Sequence, residues 1–439
     1  MEWKKEIKIL FWMVAIFLFA YFLPLYSDRF REAIMAMLDL TKWYAQEHVI
    51  LCLLPAFFIA GVIAVFISQG AVLKYFGAQA KKWVSYTIAS VSGTILAVCS
   101  CTILPLFSSI HKRGAGLGPA IAFLYSGPAI NILAIILTAR ILGFEMGVAR
   151  IIGAVVFAIV IGSVMSLIYS KEEKDKAYRQ MNIPQEEEKR PMWQTALHFF
   201  ILVLILVFSN WGAPADGVTS GGWHWIWAHK WHITGFFAIL LVFTLIYVLK
   251  LKKEYVFIAA IVTAASAFVF ESPMVPMVVG IAGVSLLTLF DKRDEDNKQW
   301  TLSTWDFAKQ IMPLLAIGVL IAGFLLGSTH GDTHMPGIVP NEWVVALVGG
   351  NSVFSNFFAS IVGAFMYFAT LTEVPILQGL IGAGMGKGPA LALLLAGPSL
   401  SLPNMLVIRG VIGTQKTLVY VALVVVMATA SGLIYGGMF

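Results

Sequence analysis

The sequence predicts an all-α polytopic membrane protein, a helical bundle in which a four-helix unit containing broken helices occurs twice. Composition, hydropathy and an internal repeat carry this prediction. Hydrophobic residues make up 59% of the chain and charged residues 12%, against roughly 25% charged in a typical globular domain. The mean hydropathy is +0.84, and apolar runs of about the 20 residues that cross a bilayer recur along the chain. This composition excludes a soluble fold.

A sequence block near residue 90 recurs, without a gap, near residue 360. Ala89 and Ala359 share one offset (359 − 89 = 270) with the runs GAGLGPA at 114–120 and GMGKGPA at 384–390. Both copies lie in long apolar segments interrupted by glycine and proline. Paired, interrupted segments in two halves of a chain are typical of the binding region of secondary transporters. We therefore expect a transporter whose site lies at these interruptions.

The repeat also predicts how the chain is organised. We expect an N-terminal helix and loop at 1–48, a first four-helix repeat at 49–169, a charged loop with connecting transmembrane helices at 170–304, and a second repeat at 305–439. The ~20-residue criterion gives about thirteen candidate spans. With that count the repeats are parallel. If 255–290 is one re-entrant element rather than two spans, the repeats are inverted.

Charge and cysteine usage limit the partners and the compartment. The formal net charge of +6 comes from basic residues spread over short loops, which is the surplus expected of cytoplasmic loops and not a nucleic-acid-binding patch. The loop 171–192 mixes both signs and is interpreted as a solvated linker. The apolar run after Lys8 continues to Leu23 without a cleavage site, so we expect a retained first helix. All three cysteines lie in apolar segments, so no disulfide framework is expected.

The first interruption of copy one contains two cysteines and a proline. Pro105 lacks an N–H, so the carbonyl of Cys101 loses its helical partner, which lipid tolerates only beside protein or a wet cavity. A break there would turn the sulfurs of Cys99 and Cys101 toward one site, beside Thr102. Cys52 of the preceding span is a possible third thiol, its alternative role being core packing. Thiolates bind soft ions such as As(III), Cu(I) and Zn(II), so we predict Cys99 and Cys101 as ligands of substrate and metal.

The corresponding interruption of copy two carries a carboxylate. Glu373 stands in the sequence LTEVP, where copy one has Ile103. An ionisable residue within a membrane helix is costly and is by default a functional candidate, and Pro375 releases the carbonyl of Leu371 beside it. We predict that Glu373 binds substrate and carries a coupling proton. The alternative is a glutamate at the end of a helix, in the membrane interface.

Each copy has a second interruption, at a Gly-Pro pair. Pro128 and Pro398 open the helices, and small polar side chains surround them. Broken helices present half-helix ends and free carbonyls to a substrate near the membrane midplane. The alternative is a small-residue packing face with a proline kink. Besides Glu373 and the cysteines, the predicted substrate-binding residues are Thr102, Pro105, Ser126, Pro128, Asn131, Pro375, Pro398, Ser399 and Asn404.

Two further patterns carry less weight. The run GAGMGKG at 382–388 lacks the phosphate-loop spacing because Lys387 is followed by Gly388, so ATP-driven transport by this chain alone is not expected. Histidines at 224–232 lie among tryptophans, which is typical of an interfacial belt. Capture of a divalent metal there, or at 330–334, is the alternative.

Two blocks of sequence resemble the ArsP-type family of bacterial and archaeal permeases. They are VCSCTILPLFSSIHKRGAGLGPAIAFLYSGPAINI at 98–132 and TEVPILQGLIGAGMGKGPALALLLAGPSLSLPN at 372–404. The resemblance implies an inner-membrane efflux permease. Members of the family are associated with export of trivalent organoarsenicals, and others with soft or transition metals. Their expected substrate region corresponds here to Cys99, Cys101, Pro105, Glu373, Pro398 and Asn404.

Together these features predict a multi-pass inner-membrane secondary transporter, with no cofactor and no catalytic step. It would export a soft metal(loid) or thiol-reactive solute, such as a trivalent organoarsenical, in exchange for protons. Its partners would be the lipid bilayer and that small solute, not nucleic acid. Cys99 and Cys101 suit methylarsenite, and adding Cys52 suits inorganic arsenite. The alternatives are a transition-metal (Cu/Zn) efflux permease and an intramembrane thiol redox protein in which Cys99 and Cys101 form an exchanging dithiol.

Overall fold

The computed structural model describes residues 3–67, 76–77, 80–96, 100–130, 132–181, 190–214, 220–330, 333–340, 347–366, 373–382 and 384–439. Within these residues the chain is almost entirely helical, which confirms the predicted all-α class. The helices of the first half are α1 (Trp3–Tyr21), α2 (Asp28–Tyr44), α3 (Leu54–Phe66), α4 (Lys82–Leu96), α5 (Ser100–Lys112), α6 (Leu117–Ala129), α7 (Ile132–Ile141), α8 (Phe144–Ile168) and α9 (Ser170–Met181). A π-helical segment, Ala45–Leu53, joins α2 to α3.

The second half continues this pattern. Its helices are α10 (Met192–Ser209), α11 (Gly222–Tyr247), α12 (Lys253–Val269), α13 (Met274–Leu289), α14 (Glu295–Leu326), α15 (Val353–Phe365), α16 (Glu373–Gly382), α17 (Lys387–Leu400), α18 (Leu402–Ile412) and α19 (Thr414–Met438). A short antiparallel pair, β1 (Gly327–His330) and β2 (Thr333–Pro336), follows α14, with Gly327 opposite Pro336.

Six helices among the described residues are long and apolar enough to cross a membrane. A seventh span results if α17 and α18, which meet at a bend of 47°, are counted as one. Several of the thirteen predicted spans therefore differ from the structure. The segments centred near 127 and 398 are divided into shorter helices, because α6 ends at Ala129, just after Pro128, and α17 ends at Leu400, just after Pro398. The six or seven spanning helices make the chain a multi-pass membrane protein.

Two short helices form the centre of the bundle. All 13 residues of α6 are buried, and α17 is buried from Gly388 to Leu400. Glycine makes this packing possible. A Cβ on Gly118 of α6 would lie 2.8 Å from the carbonyl oxygen of Gly162 in α8, and one on Gly388 of α17 would lie 2.6 Å from the carbonyl oxygen of Gly432 in α19. Close approach of backbones through small residues is the usual packing mode of membrane helices.

The helices around these two centres correspond in order. Helices α4 and α8 pack on α6, while α15 and α19 pack on α17. Across the halves, α7 packs on α16 and α18 packs on α5. Helices α8 and α19 are both 25 residues long. The internal duplication itself stays a prediction from the sequence.

The expected break at Pro105 is wrong in its position. Helix α5 continues through Pro105, from Ser100 to Lys112. A proline removes one backbone hydrogen bond and bends a helix, and dense packing on both sides holds this one together, since Leu104 and Leu106 are each 1% exposed. The sequence just before α5, at 97–99, lies outside the described residues.

A proline also accounts for the π-helical segment in the first long span. Pro55 has no N–H to give to the carbonyl of Leu51, and its ring would clash with that carbonyl in an α-helix. The backbone widens instead, so that the N–H of Leu54 donates to the carbonyl of Val49, five residues back. The amide of Asn210, at the end of α10, donates to the Leu51 carbonyl at 2.8 Å. A side chain thus replaces the backbone donor that proline lacks.

The Asn210 contact gives a prediction about stability. Asn210→Ala should lower the free energy of unfolding by about 1–3 kcal/mol, because the Leu51 carbonyl then loses its donor in a buried place. In a Pro55→Ala background, where residue 55 regains an N–H, the same substitution should cost less. Thermal unfolding of the four proteins in detergent measures this coupling. Equal costs in both backgrounds would show that Asn210 does not act through Leu51.

Candidate functional site

The structure brings several predicted site residues to the C-terminal ends of α6 and α17, which we call their inner ends. Ser126 and Pro128 lie in the last turn of α6, Pro398 and Ser399 lie in the last turn of α17, and Asn404 follows in α18; all five are buried. Thr102 is fully buried on α5, which packs on α18. The second interruptions therefore lie inside the protein.

Other predicted residues are described only in part or not at all. Cys99 and Asn131 lie outside the described residues. Cys101 and Pro375 lie on α5 and α16, and their backbone alone is described. Pro375 stands in the first turn of α16, where a proline is tolerated because the N–H there has no helical partner. The predicted roles of these four residues stay predictions.

A buried ion pair joins the two halves of the chain. The guanidinium of Arg150, on α8, donates through Nη2 to Oε1 of Glu373, at the start of α16. The Arg150 side chain is 0% exposed and that of Glu373 is 1% exposed. Glu373 therefore stands at the first residue of α16 with its carboxylate enclosed by protein. Arg150 is not among the residues predicted from the sequence, because it lies within the apolar run 146–169.

Two further contacts fix the guanidinium of Arg150. Nη1 donates to Oγ1 of Thr138 at 2.9 Å, and Nε lies 3.4 Å from the carbonyl oxygen of Ala129. Thr138 gives its own hydroxyl proton to the carbonyl of Ala134, at 2.7 Å, so its oxygen is oriented to accept. We call Arg150, Thr138, Glu373 and the Ala129 carbonyl the charged centre.

The charged centre lies between two helix ends of opposite polarity. Ala129 is the last residue of α6, where carbonyl groups lack helical donors and carry partial negative charge. Glu373 is in the first turn of α16, where backbone N–H groups carry partial positive charge. The cation therefore lies at a negative helix end, and the carboxylate lies at a positive one. Both helix ends stabilise the pair.

An uncharged arrangement occupies the corresponding place in the second half. The hydroxyl of Tyr420, on α19, donates to the carbonyl of Ser399 at 3.4 Å, across 21 residues of sequence. Arg150 and Ala129 are also 21 residues apart. Ser399 needs this donor because Pro403, four residues later, has no N–H. In the first half a side chain of α8 donates to a carbonyl at the end of α6, and in the second half a side chain of α19 donates to a carbonyl at the end of α17. The first donor, Arg150, is charged, and the second, Tyr420, is neutral.

Helices α6 and α17 also contact each other directly. The hydroxyl of Tyr125 donates to the carbonyl of Leu395 at 2.8 Å, between residues 270 apart. The hydroxyl of Ser399 lies 3.4 Å from the carbonyl of Tyr125. Tyr125 is also close enough to Arg150 and Tyr420 to interact with both electrostatically. The two half-helix ends and the charged centre therefore form one polar region.

This polar region contains hydrogen-bonding capacity that the described residues do not use. Ser126 donates to the carbonyl of Ala89 at 2.8 Å. By contrast, Oγ of Ser401 and Oδ1 of Asn404 are buried and have no hydrogen-bond partner among the described residues. Native proteins pair nearly all buried polar atoms with protein or ordered water. Two such atoms at the bend between α17 and α18 fit a place that receives solute or water.

The structure says less about the predicted metal ligands. Cys52 is buried in the π-helical segment, and this segment contacts α5, the helix that carries Cys101. In the part of the chain that the structure describes, no three His, Cys, Asp or Glu residues are close enough to hold a metal ion. The alternative of metal capture at 224–232 therefore gains no support from the described residues.

A family model with the description "predicted permease", ArsP_1, matches residues 34–437. The chain belongs to this permease family. This confirms the resemblance that the two sequence blocks indicated. A UPF0718 protein of Methanocaldococcus jannaschii is 41% identical over 398 residues, which cover 90% of this chain and 93% of that protein.

The UPF0718 protein YraQ of Escherichia coli is 30% identical over 142 residues, 32% of this chain and 36% of that protein. No solved structure matches the chain. The family and the membrane-spanning helices together make the chain a membrane permease.

The charged centre gives a second prediction about stability. Arg150→Gln should lower the free energy of unfolding by about 3–5 kcal/mol, because it leaves the Glu373 carboxylate buried without its partner. Arg150→Gln combined with Glu373→Gln should cost less than Arg150→Gln alone. Chemical unfolding in detergent micelles measures both.

Tyr420→Phe is the matched control for this experiment. It removes only a neutral hydrogen bond and should cost about 1 kcal/mol. If the double variant were as unstable as the sum of its two single variants, the two side chains would not be coupled.

Proposed function

We propose that the protein is a secondary transporter whose solute passes between the inner ends of α6 and α17, with Arg150 and Glu373 as the charged element of the site. The buried ion pair between the halves carries this proposal. Charged side chains inside a membrane protein are expensive and are typical of transport pathways and proton relays. A pair that joins two separate units also provides what alternating access needs, an interaction that differs between states.

Coupling to protons follows from the chemistry of the pair. Protonation of Glu373 removes the negative charge that Arg150 faces and weakens the contact between α8 and α16. Deprotonation restores this contact. Among the described groups, Arg150 on α8 faces Glu373 directly, and the phenols of Tyr125 on α6 and Tyr420 on α19 lie in the same region. Of these groups, Glu373 is the carboxylic acid.

The solute class rests on the cysteines and on the family. We propose export of a soft metal(loid) or thiol-reactive solute, such as a trivalent organoarsenical, across the inner membrane. Cys99 and Cys101 would bind it, because thiolates prefer soft ions. The contact between α5 and the π-helical segment of Cys52 supports a third thiol at the same place. The cavity would be completed by the remaining predicted residues, Thr102, Pro105, Ser126, Pro128, Asn131, Pro375, Pro398, Ser399 and Asn404.

Two other functions have some support from the same residues. A transition-metal (Cu/Zn) efflux permease would use the same thiols, and the family resemblance includes such members. An intramembrane thiol redox protein would instead exchange electrons between Cys99 and Cys101. Transport measured against a panel of solutes separates these possibilities.

Glu373→Gln should abolish the pH dependence of transport. Coupling to one proton changes the equilibrium ratio of solute across the membrane about tenfold for each unit of the pH difference, and glutamine keeps the shape of the side chain but cannot release a proton. Uptake of methylarsenite into inside-out vesicles, measured across about pH 6 to 8, tests this. Glu145→Gln, an exposed glutamate in the first turn of α8, is the control and should behave as the wild type. A pH dependence unchanged by Glu373→Gln would remove Glu373 from the coupling.

The solute is tested with methylarsenite, inorganic arsenite, Cu(I) and Zn(II) in the same vesicles. We expect uptake of one of them that is lost in the Cys99→Ser/Cys101→Ser variant, because serine binds soft ions far more weakly than thiolate. Cys52→Ser should reduce the uptake of inorganic arsenite more than that of methylarsenite. Uptake that survives the double substitution would place the solute at the charged centre alone. A redox-linked shift on thiol alkylation, with no uptake of any solute, would favour the redox protein.

A further inference from the structure

We infer that the Glu373 carboxylate occupies an anion-binding site, and that a small monovalent carboxylate or oxyanion takes its place on Arg150 during transport. This inference rests on the proposed function, because it concerns the same charged centre. It adds a class of ligand, an anion, that the cysteines do not indicate.

The first support is the way in which Arg150 is held. Thr138 and the Ala129 carbonyl hold the guanidinium through Nη1 and Nε, and Nη2 reaches Glu373. Two of the three contacts therefore do not depend on the carboxylate. Arginine presents a rigid fork of donors that fits any planar carboxylate or oxyanion. The guanidinium is thus positioned to bind an anion whether or not Glu373 is the one present.

The second support is that Arg150 would lose its counter-charge if Glu373 moved away. A buried guanidinium without a counter-charge is strongly destabilised, so a state of the transporter in which the pair is broken needs another anion. Thr138 and the Ala129 carbonyl are neutral and cannot supply the missing charge. An anion that enters with or as the solute satisfies Arg150 and makes the change between states accessible.

The third support is the helix end on the other side of the carboxylate. Glu373 belongs to the first turn of α16, a helix of 10 residues. Backbone N–H groups at such an end attract anions, and they do so together with a nearby cation. An anion at the position of the Glu373 carboxylate therefore meets Arg150 on one side and the start of α16 on the other.

The sequence repeat indicates no second site of this kind among the described residues. The residue that corresponds to Glu373 is Ile103, which is 1% exposed, and Tyr420 stands where the first half has Arg150. A neutral phenol and an aliphatic side chain give no reason for an anion to bind there. We therefore expect one anion per chain. Ile103→Ala becomes a matched control, since it opens a cavity of similar depth without a charge.

The test is rescue of a truncated variant by a small anion. Glu373→Ala removes the carboxylate and leaves room for formate beside Arg150. Formate should raise the melting temperature of purified Glu373→Ala in detergent by roughly 2 °C or more at saturation, relative to an equal concentration of chloride. Formate should not raise that of Ile103→Ala or of Arg150→Gln/Glu373→Ala. If Glu373→Ala is recovered folded only when formate is present throughout purification, the same dependence is read from the recovered monodisperse fraction.

The outcomes separate this inference from the proposed function. Absence of any formate-specific gain in Glu373→Ala, or an equal gain in the variant without Arg150, would overturn the anion site. The proposed transport is judged independently by solute uptake into wild-type vesicles. Radiolabelled formate distinguishes two sources of the anion. If formate enters wild-type vesicles faster than vesicles with the Arg150→Gln/Glu373→Ala variant, the site serves a co-transported ion; if it only competes with solute uptake, the site binds an anionic group of the solute.

Discussion

Every backbone carbonyl released inside a membrane protein needs a donor, and this requirement organises the structure. Prolines and helix ends release such carbonyls at Leu51, Ala129 and Ser399, where the backbone supplies no N–H group. In each case a side chain from a different helix donates instead, namely that of Asn210, Arg150 or Tyr420. The interruptions in the helices are therefore fixed points at which one helix is attached to another, rather than loosely held gaps.

One of these donors, Arg150, is charged, and this makes the two halves of the chain chemically different. Had the first half used tyrosine at position 150, as the second does at 420, the centre would contain no ion and no reason to bind one. The guanidinium instead requires Glu373 from the opposite half, because an unpaired charge at this depth is strongly unfavourable. The side chain of Arg150 thus donates to the carbonyl of Ala129 and also joins the two halves. Structural and functional requirements cannot be separated at Arg150.

Much of this was accessible from the sequence, and the missing parts have physical causes. Composition and the repeat predicted the helical class and singled out Glu373 and the Gly-Pro pairs at which α6 and α17 end. Arg150 escaped because a single charge hardly changes the average of a 25-residue apolar helix, although a comparison with Tyr420 in the other copy would have exposed it. The continuity of α5 through Pro105 and the π-helical segment depend on packing and on Asn210, which is distant in sequence. Pairing between residues 223 apart is a property of the folded chain.

The contact between Tyr125 and Leu395 has a consequence for how the protein is made. Ribosomes synthesise roughly 5–20 residues per second, and these two partners are separated by 270 residues. Helix α6 is therefore in place for some tens of seconds before α17, against which its centre packs, has been made. During that interval its tyrosine hydroxyl and the nearby arginine must find temporary partners in the insertion machinery, in lipid headgroups or in water. Helix α6 thus reaches its final environment late, even though it is synthesised early.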